Sequence, residues 1–234
     1  MTTRLHLLSA GAALGLVRAL EPRLAVEMGI ELDARFGAVG AMQSLFDAGE
    51  PCDVLILTDA MIAAQTAAGM LVPATRAPLG RVRTGVAVPR GVAHPDVSTP
   101  EALAAALRSA DTVYFPDPER ATAGIHFMKV LRELGLADEL RERLRPWPNG
   151  ATAMRELAGQ SSPRAIGCTQ VTEILYTPGV ELVGLLPPRF ELSTLYTASA
   201  SSRAADPAVA ARFAALLGAA ATRALRAAGG FEDE

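Results

Sequence analysis

Leu7-Leu8-Ser9-Ala10-Gly11-Ala12-Ala13-Leu14, "LLSAGAAL", lies near the start of the 234-residue chain and admits two readings. One is the apolar middle of a secretory leader. The other is a strand turning into a helix, with Ser9 at the strand end and Gly11 letting backbone approach a ligand. A leader needs a basic n-region, an apolar h-region and a small-residue cleavage site, all ahead of the folded domain. Here a single Arg precedes the apolar run and His6 interrupts it. Cleavage in the Ala-rich part would remove the strand and Ser9 with it.

The downstream residues favour the second reading. A strand over 4–9 leads to a helix over 12–28 whose apolar positions include Leu16, Val17, Leu20 and Leu24. "IELDARF" (30–36) alternates like a half-buried strand. A helix at 39–48 stops at Gly49, "DVLILT" (53–58) is a buried strand, and Asp59 is placed to cap a helix running to Ala68. This βαβαβα opening predicts a parallel sheet with right-handed crossovers.

Further strands are predicted at 81–89, 111–116, 163–168, 180–185 and 190–199, the last returning to the first unit. Ser98-Thr99-Pro100-Glu101 opens an Ala-rich helix with a hydroxyl cap, Pro in the first turn and an acid near the positive dipole end. Other helices end near Gly135 and occupy 151–158, with a helix or turn at 170–176. A closing helix runs from Asp206-Pro207 to Gly229-Gly230.

Composition removes several function classes. The net charge of −3 gives no electrostatic footprint for nucleic acid. No apolar run approaches the ~18 residues of a membrane span, so membrane insertion is not expected. Cys52 and Cys168 stand far apart without a CxxC, and His6, His94 and His126 lack metal-ligand spacing. Both cysteines read as free thiols, and neither a metal nor a cofactor is expected. There is no GxGxxG, no P-loop and no G-x-S-x-G elbow.

The order of elements and four local motifs resemble the type II periplasmic solute-binding proteins, in the branch similar to molybdate-binding proteins. The motifs are "FGAVGAMQSLFDAGEPCDVLILTD" (36–59), "DPERATAGIHFMKVLRELGL" (117–136), "SPRAIGCTQVTEI" (162–174) and "RAAGGF" (226–231). The resemblance implies an α/β clamshell: two lobes, each a mainly parallel sheet flanked by helices, joined by two crossover hinge strands. Lobe I would be residues 1–82 and 195–234, and lobe II residues 83–194. A ligand would be clamped between them, with helix N-termini supplying N–H groups to an anion.

Carried onto this chain, the resemblance makes Ser9 and Gly11 ligand contacts. The second contact block departs from the pattern. Molybdate and tungstate binders have a serine run where this chain reads Phe36-Gly37-Ala38-Val39-Gly40-Ala41. A bare oxyanion needs several donors to replace its hydration. An organic anion fits better, with its carboxylate on the N–H groups near Val39 and Gly40 and its skeleton against Val39 and Met42. In lobe II, Thr122 and Ala123 fall at the matching helix N-terminus, and Thr152 begins another.

Cys168 replaces a ligand-contacting tyrosine, with Thr169 and Gln170 the better polar contacts. Arg83 is a bidentate carboxylate partner or part of a solvated face with Arg81. Thr58-Asp59 reads as a cap or a contact. His126 and Glu173 are the candidates for proton transfer; His126 also reads as a partly exposed helix histidine, and Glu173 reads first as a solvated helix acid.

Two functions stay open. One is a binder of a small di- or tricarboxylate, handing it to an ABC transporter permease if the chain is exported. The other is an isomerase of a small unsaturated carboxylic acid, as in the aconitate isomerases that resemble the same branch. Met1-Thr2-Thr3-Arg4 reads as a native start, which makes a cytoplasmic location the expectation and a periplasmic one the alternative if a leader has been removed.

Overall fold

A computed structural model describes residues 3–233. The chain forms two compact units, one running up to Val82 and resuming at Thr194, the other spanning Arg83–Ser193.

The first unit opens as the alternating pattern demands. β1 (Thr3–Ala10) passes through a 3-10 turn at Gly11–Ala13 into α1 (Leu14–Arg23), followed by β2 (Ile30–Gly37), α2 (Val39–Asp47), β3 (Val54–Thr58) and α3 (Asp59–Ala67). β1 pairs in parallel with β2, Ser9 opposite Phe36, and with β3, Ser9 opposite Ile56. Pro22 lies inside α1, and the helical turns beyond it, Leu24–Met28, are wider than α until Gly29 stops them at φ 62°. Pro lacks the N–H that an α-turn needs, so the ladder loosens there.

β4 (Ala77–Pro89) carries the chain into the second unit, which contains α4 (Pro100–Ser109), β5 (Thr112–Pro116), α5 (Thr122–Glu133), β6 (Leu144–Trp147), α6 (Gly150–Ala158), β7 (Ala165–Gln170), α7 (Val171–Tyr176) and β8 (Val180–Leu185). β5 pairs in parallel with both β6 and β7, while β4 runs antiparallel to β7 and β8. β9 (Ser193–Ala200) then returns antiparallel to β3, and α8 (Pro207–Gly218) and α9 (Arg223–Ala228) close the first unit.

Each unit has its own core. In the first, Leu5, Leu7, Phe46, Ile56 and Phe213 are fully buried. Its sheet is also tied by buried Asp53, whose carboxylate accepts the N–H groups of His6 at 2.8 Å and Ala205 at 2.7 Å. In the second, period-two alternation along β7 sends Ile166 and Cys168 to one face, in the cluster of Phe115 and Phe127. Gly167 lies on the other face, where an added Cβ would come within 2.7 Å of Met154 and Leu157 of α6.

The expected single closing helix is two, because the chain breaks at Gly218-Ala219. Arg226, mostly buried, donates to the carbonyls of Leu217 at 3.0 Å and Ala219 at 2.8 Å, satisfying the orphan acceptors at that break. β6 was not expected from the sequence. No single helix among the described residues is long and apolar enough to cross a membrane.

Candidate functional site

In both units the C-terminal ends of the parallel strands run directly into helix N-termini, where ligands of open α/β sheets bind. The N-caps of the helices differ in what they offer the first turn, and Thr58 of α3 and Gln170 of α7 make no side-chain cap bond. α4, α6 and α8 are capped by the side chains of Thr99, Asn149 and Asp206. The turns that follow β1, β2 and β5 start from Ala10, Ala38 and Ala121, with no side-chain cap. Alanine is among the poorest N-caps, costing about 1 kcal/mol against Ser, Asp or Asn. Three such positions on strand ends leave first-turn N–H groups and their partial positive charge without a side-chain acceptor.

In the first unit, Ser9 is fully buried at the end of β1, its hydroxyl donating to the Ala10 carbonyl at 3.0 Å. Gly11 begins the buried turn that comes next. Val39 and Gly40 are the first residues of α2, with Met42 one turn on. A Cβ on Gly37 would lie 2.8 Å from the Met42 methyl, so the glycine lets the apolar side chain fold back over the strand end.

Asp59, at the start of α3, is claimed internally. Burial pushes its pKa up, but hydrogen bonds from Arg76 at 2.5 Å and from Thr197 at 2.7 Å hold it below the ordinary range. Asp59 is therefore not the expected cap: the N-cap of α3 is Thr58, no side chain bonds the first turn, and the Asp59 carboxylate ties Arg76 and Thr197 instead.

In the second unit, Thr122 and Ala123 are the first residues of α5, and Gly124 seats that helix on the end of β5. A Cβ on Gly124 would fall 2.2 Å from the carbonyl oxygens of both Pro116 and Asp117. His126 is half-buried, its Nε2 2.8 Å from the Phe190 carbonyl. That partner assigns the proton to Nε2, so this nitrogen is spent on the fold and only Nδ1 is left for chemistry.

The N-terminus of α6 differs from the other two because the chain fills it. Glu173 is buried, not a solvated helix acid. Burial pushes its pKa up, opposed by the Thr169 hydroxyl bond and by the nearby backbone N–H groups of Ala151, Gln170 and Gly150. The Thr169 bond is 2.6 Å. The Gln170 contact is half of a capping box, the third helical residue reaching back to the N-cap N–H. Thr152, expected to donate, has given its N–H to Asn149 Oδ1 at 2.8 Å; its hydroxyl accepts from Arg155 at 3.0 Å and keeps its own hydrogen to donate.

Cys168 departs from its expected place. Its side chain is turned into the core, where burial pushes the thiol pKa far up, so the sulfur is neither a contact nor a nucleophile. Gln170 is buried at the end of β7, and Arg83 is half-buried at the head of the second unit's part of β4. Among the described residues, Thr84 Oγ1, Thr172 Oγ1 and Trp147 Nε1 are buried without a hydrogen-bond partner.

Sequence reading passed over Ala121, Gly150 and these three polar groups. Only Ala121 left a signal: a poor N-cap standing between a strand and a helix. No group of three or more metal-ligating side chains occurs among the described residues.

Residues 5–232 match the family model described as bacterial extracellular solute-binding protein. An aconitate isomerase from Pseudomonas sp. is 27% identical over 214 residues, covering 88% of this chain and 78% of the relative. The periplasmic molybdate-binding protein of Azotobacter vinelandii superposes with a TM-score of 0.80 at 19% identity, over 98% of this chain and 99% of the other. The sulfate-binding protein of Mycobacterium tuberculosis H37Rv gives 0.75 at 16%, over 99% and 87%. The chain belongs to the bacterial extracellular solute-binding protein family and has the α/β fold of the type II periplasmic binding proteins.

Proposed function

We propose that the protein binds a small organic anion, a di- or tricarboxylate, on the first-turn N–H groups of its alanine-capped helices. The observation that carries this is the alanine at the N-caps of both helices, Ala38 and Ala121. Backbone N–H groups suit a planar carboxylate, and the flanking Val39, Met42 and alanine methyl groups suit a carbon skeleton. A tetrahedral oxyanion lacks here the hydroxyl donors that would replace its hydration.

A second reading, isomerisation of an unsaturated carboxylic acid, is favoured by the likeness to an aconitate isomerase. Moving a proton along an allylic unit needs one group to remove it from the saturated carbon and one to return it at the far end. His126 Nδ1 is placed in the first turn of α5 and is the candidate for that transfer. An exported protein would hand its ligand to an ABC permease; a cytoplasmic one would retain or convert it.

Calorimetry and thermal shift with succinate, citrate, cis- and trans-aconitate, sulfate and molybdate test both readings. At least one carboxylate should bind and stabilise, with no response to sulfate or molybdate. Strong molybdate binding without a carboxylate response would sink the proposal. Proton NMR of the bound unsaturated acids in D2O separates the readings, since only an isomerase incorporates deuterium.

A further inference from the structure

We propose that Glu173 is the specificity residue that bars tetrahedral oxyanions, by seating the chain's own carboxylate on the donors at the N-terminus of α6. This deepens the organic-anion reading and rests on it.

The seat is built rather than incidental. One hydrogen bond is direct, from the Thr169 hydroxyl at 2.6 Å, and the N–H groups of Gly150, Ala151 and Gln170 lie close to the same carboxylate. They come from two separate elements, the start of α6 and the end of β7, which the carboxylate ties together. Gly150 is a glycine because of this contact. A Cβ there would lie 1.9 Å from Glu173 Oε2 and 2.1 Å from Thr169 Oγ1. Asn149 takes the next N–H of α6, that of Thr152, at 2.8 Å. The first turn of α6 is thus consumed, while that of α5 is left without a side-chain cap.

A compact oxyanion then meets two penalties. The donors that would contact its second face are already satisfied. When ionised, the carboxylate also repels a dianion that approaches the same strand ends. A longer organic anion avoids both, because its charges are separated by carbon and need not crowd the end of β7. Occupancy is the primary effect, so exclusion holds in either protonation state of Glu173.

The test uses the whole chain, titrated calorimetrically with sulfate and with molybdate, for wild type, Glu173→Gln and Glu173→Ala. Wild type should bind neither anion. Glu173→Ala vacates the seat and should gain sulfate or molybdate affinity by about tenfold or more, the worth of one or two charge-assisted hydrogen bonds. Acetate should raise the melting temperature of Glu173→Ala saturably, by refilling the seat, and leave wild type unmoved. Glu173→Gln keeps the seat filled and should gain little. A folded Glu173→Ala with no gain would overturn the proposal.

If that variant does not fold, wild-type amide spectra decide. Gly150 and Ala151 should stay fixed as sulfate is added, and their movement would contradict the account. Failure of the organic-anion reading is distinguishable, since it appears as wild type ignoring every carboxylate whatever Glu173→Ala does with sulfate.

Discussion

Ala121→Asp makes the protein more stable and destroys its ligand binding. Ala121 is an N-cap with φ −100° and ψ 128°, a conformation in which Asp fits without strain, and no side chain caps α5 in the wild type. An Asp there accepts N–H groups of the first turn and complements the helix dipole, gaining about 1 kcal/mol. In a domain of this size that is a rise of roughly 2–4 °C.

The same carboxylate occupies the donors that the ligand is proposed to use. Losing two hydrogen bonds to a charged group costs about 3–6 kcal/mol, so affinity falls by more than a hundredfold. Differential scanning fluorimetry and calorimetry on one sample read both effects. A stabilised Ala121→Asp that still binds its carboxylate at wild-type strength would remove α5 from the site. Ala38→Asp makes the same paired change in the first unit.

Gly124→Ala has the largest expected cost to the fold. The added methyl group falls 2.2 Å from two backbone carbonyl oxygens, those of Pro116 and Asp117. A side-chain clash is relieved by a rotamer change, but this overlap requires the helix to move off the strand. Overpacking costs about 1–3 kcal/mol, and contact with backbone places this case at the upper end. Moving α5 also shifts the Thr122 and Ala123 N–H groups, so affinity falls with stability. Gly159→Ala is the control, since its Cβ would meet nothing closer than 3.6 Å. Urea unfolding of the two variants should separate them by about 2 kcal/mol or more; equal midpoints would contradict the close approach.

The fold was legible where periodicity and punctuation agreed. "LLSAGAAL" reads as strand then helix because four more elements alternate behind it, and β1 indeed ends at Ala10 between two parallel neighbours. β6 was missed for a physical reason. Leu144–Trp147 holds Arg145 and Pro146, shows no alternation, and pairs only with β5. Such a strand needs no apolar signature and tolerates proline. The break after Gly218 was hidden because it depends on Arg226, whose guanidinium looks solvated in sequence.

The candidate site divides similarly. Ser9, Val39, Thr122 and Ala123 were carried over from the family resemblance, and the structure places Ser9 at a strand end and the other three at helix starts. The surroundings of Glu173 could not be read along the chain. Its partners Gly150 and Ala151 lie more than twenty residues earlier, and only β-sheet pairing brings them to the end of β7. Cys168 misled for the converse reason: one step of strand alternation decides whether a side chain meets the site or the core.

The central claim is that backbone N–H groups at the alanine-capped helix starts hold the ligand. Amide NMR titration with the most stabilising carboxylate of the panel tests it directly. The account predicts the largest shifts at Val39 and Gly40 of α2 and at Thr122 and Ala123 of α5, with Gly150 and Ala151 unmoved. Saturable binding that left those four amides in place would contradict it.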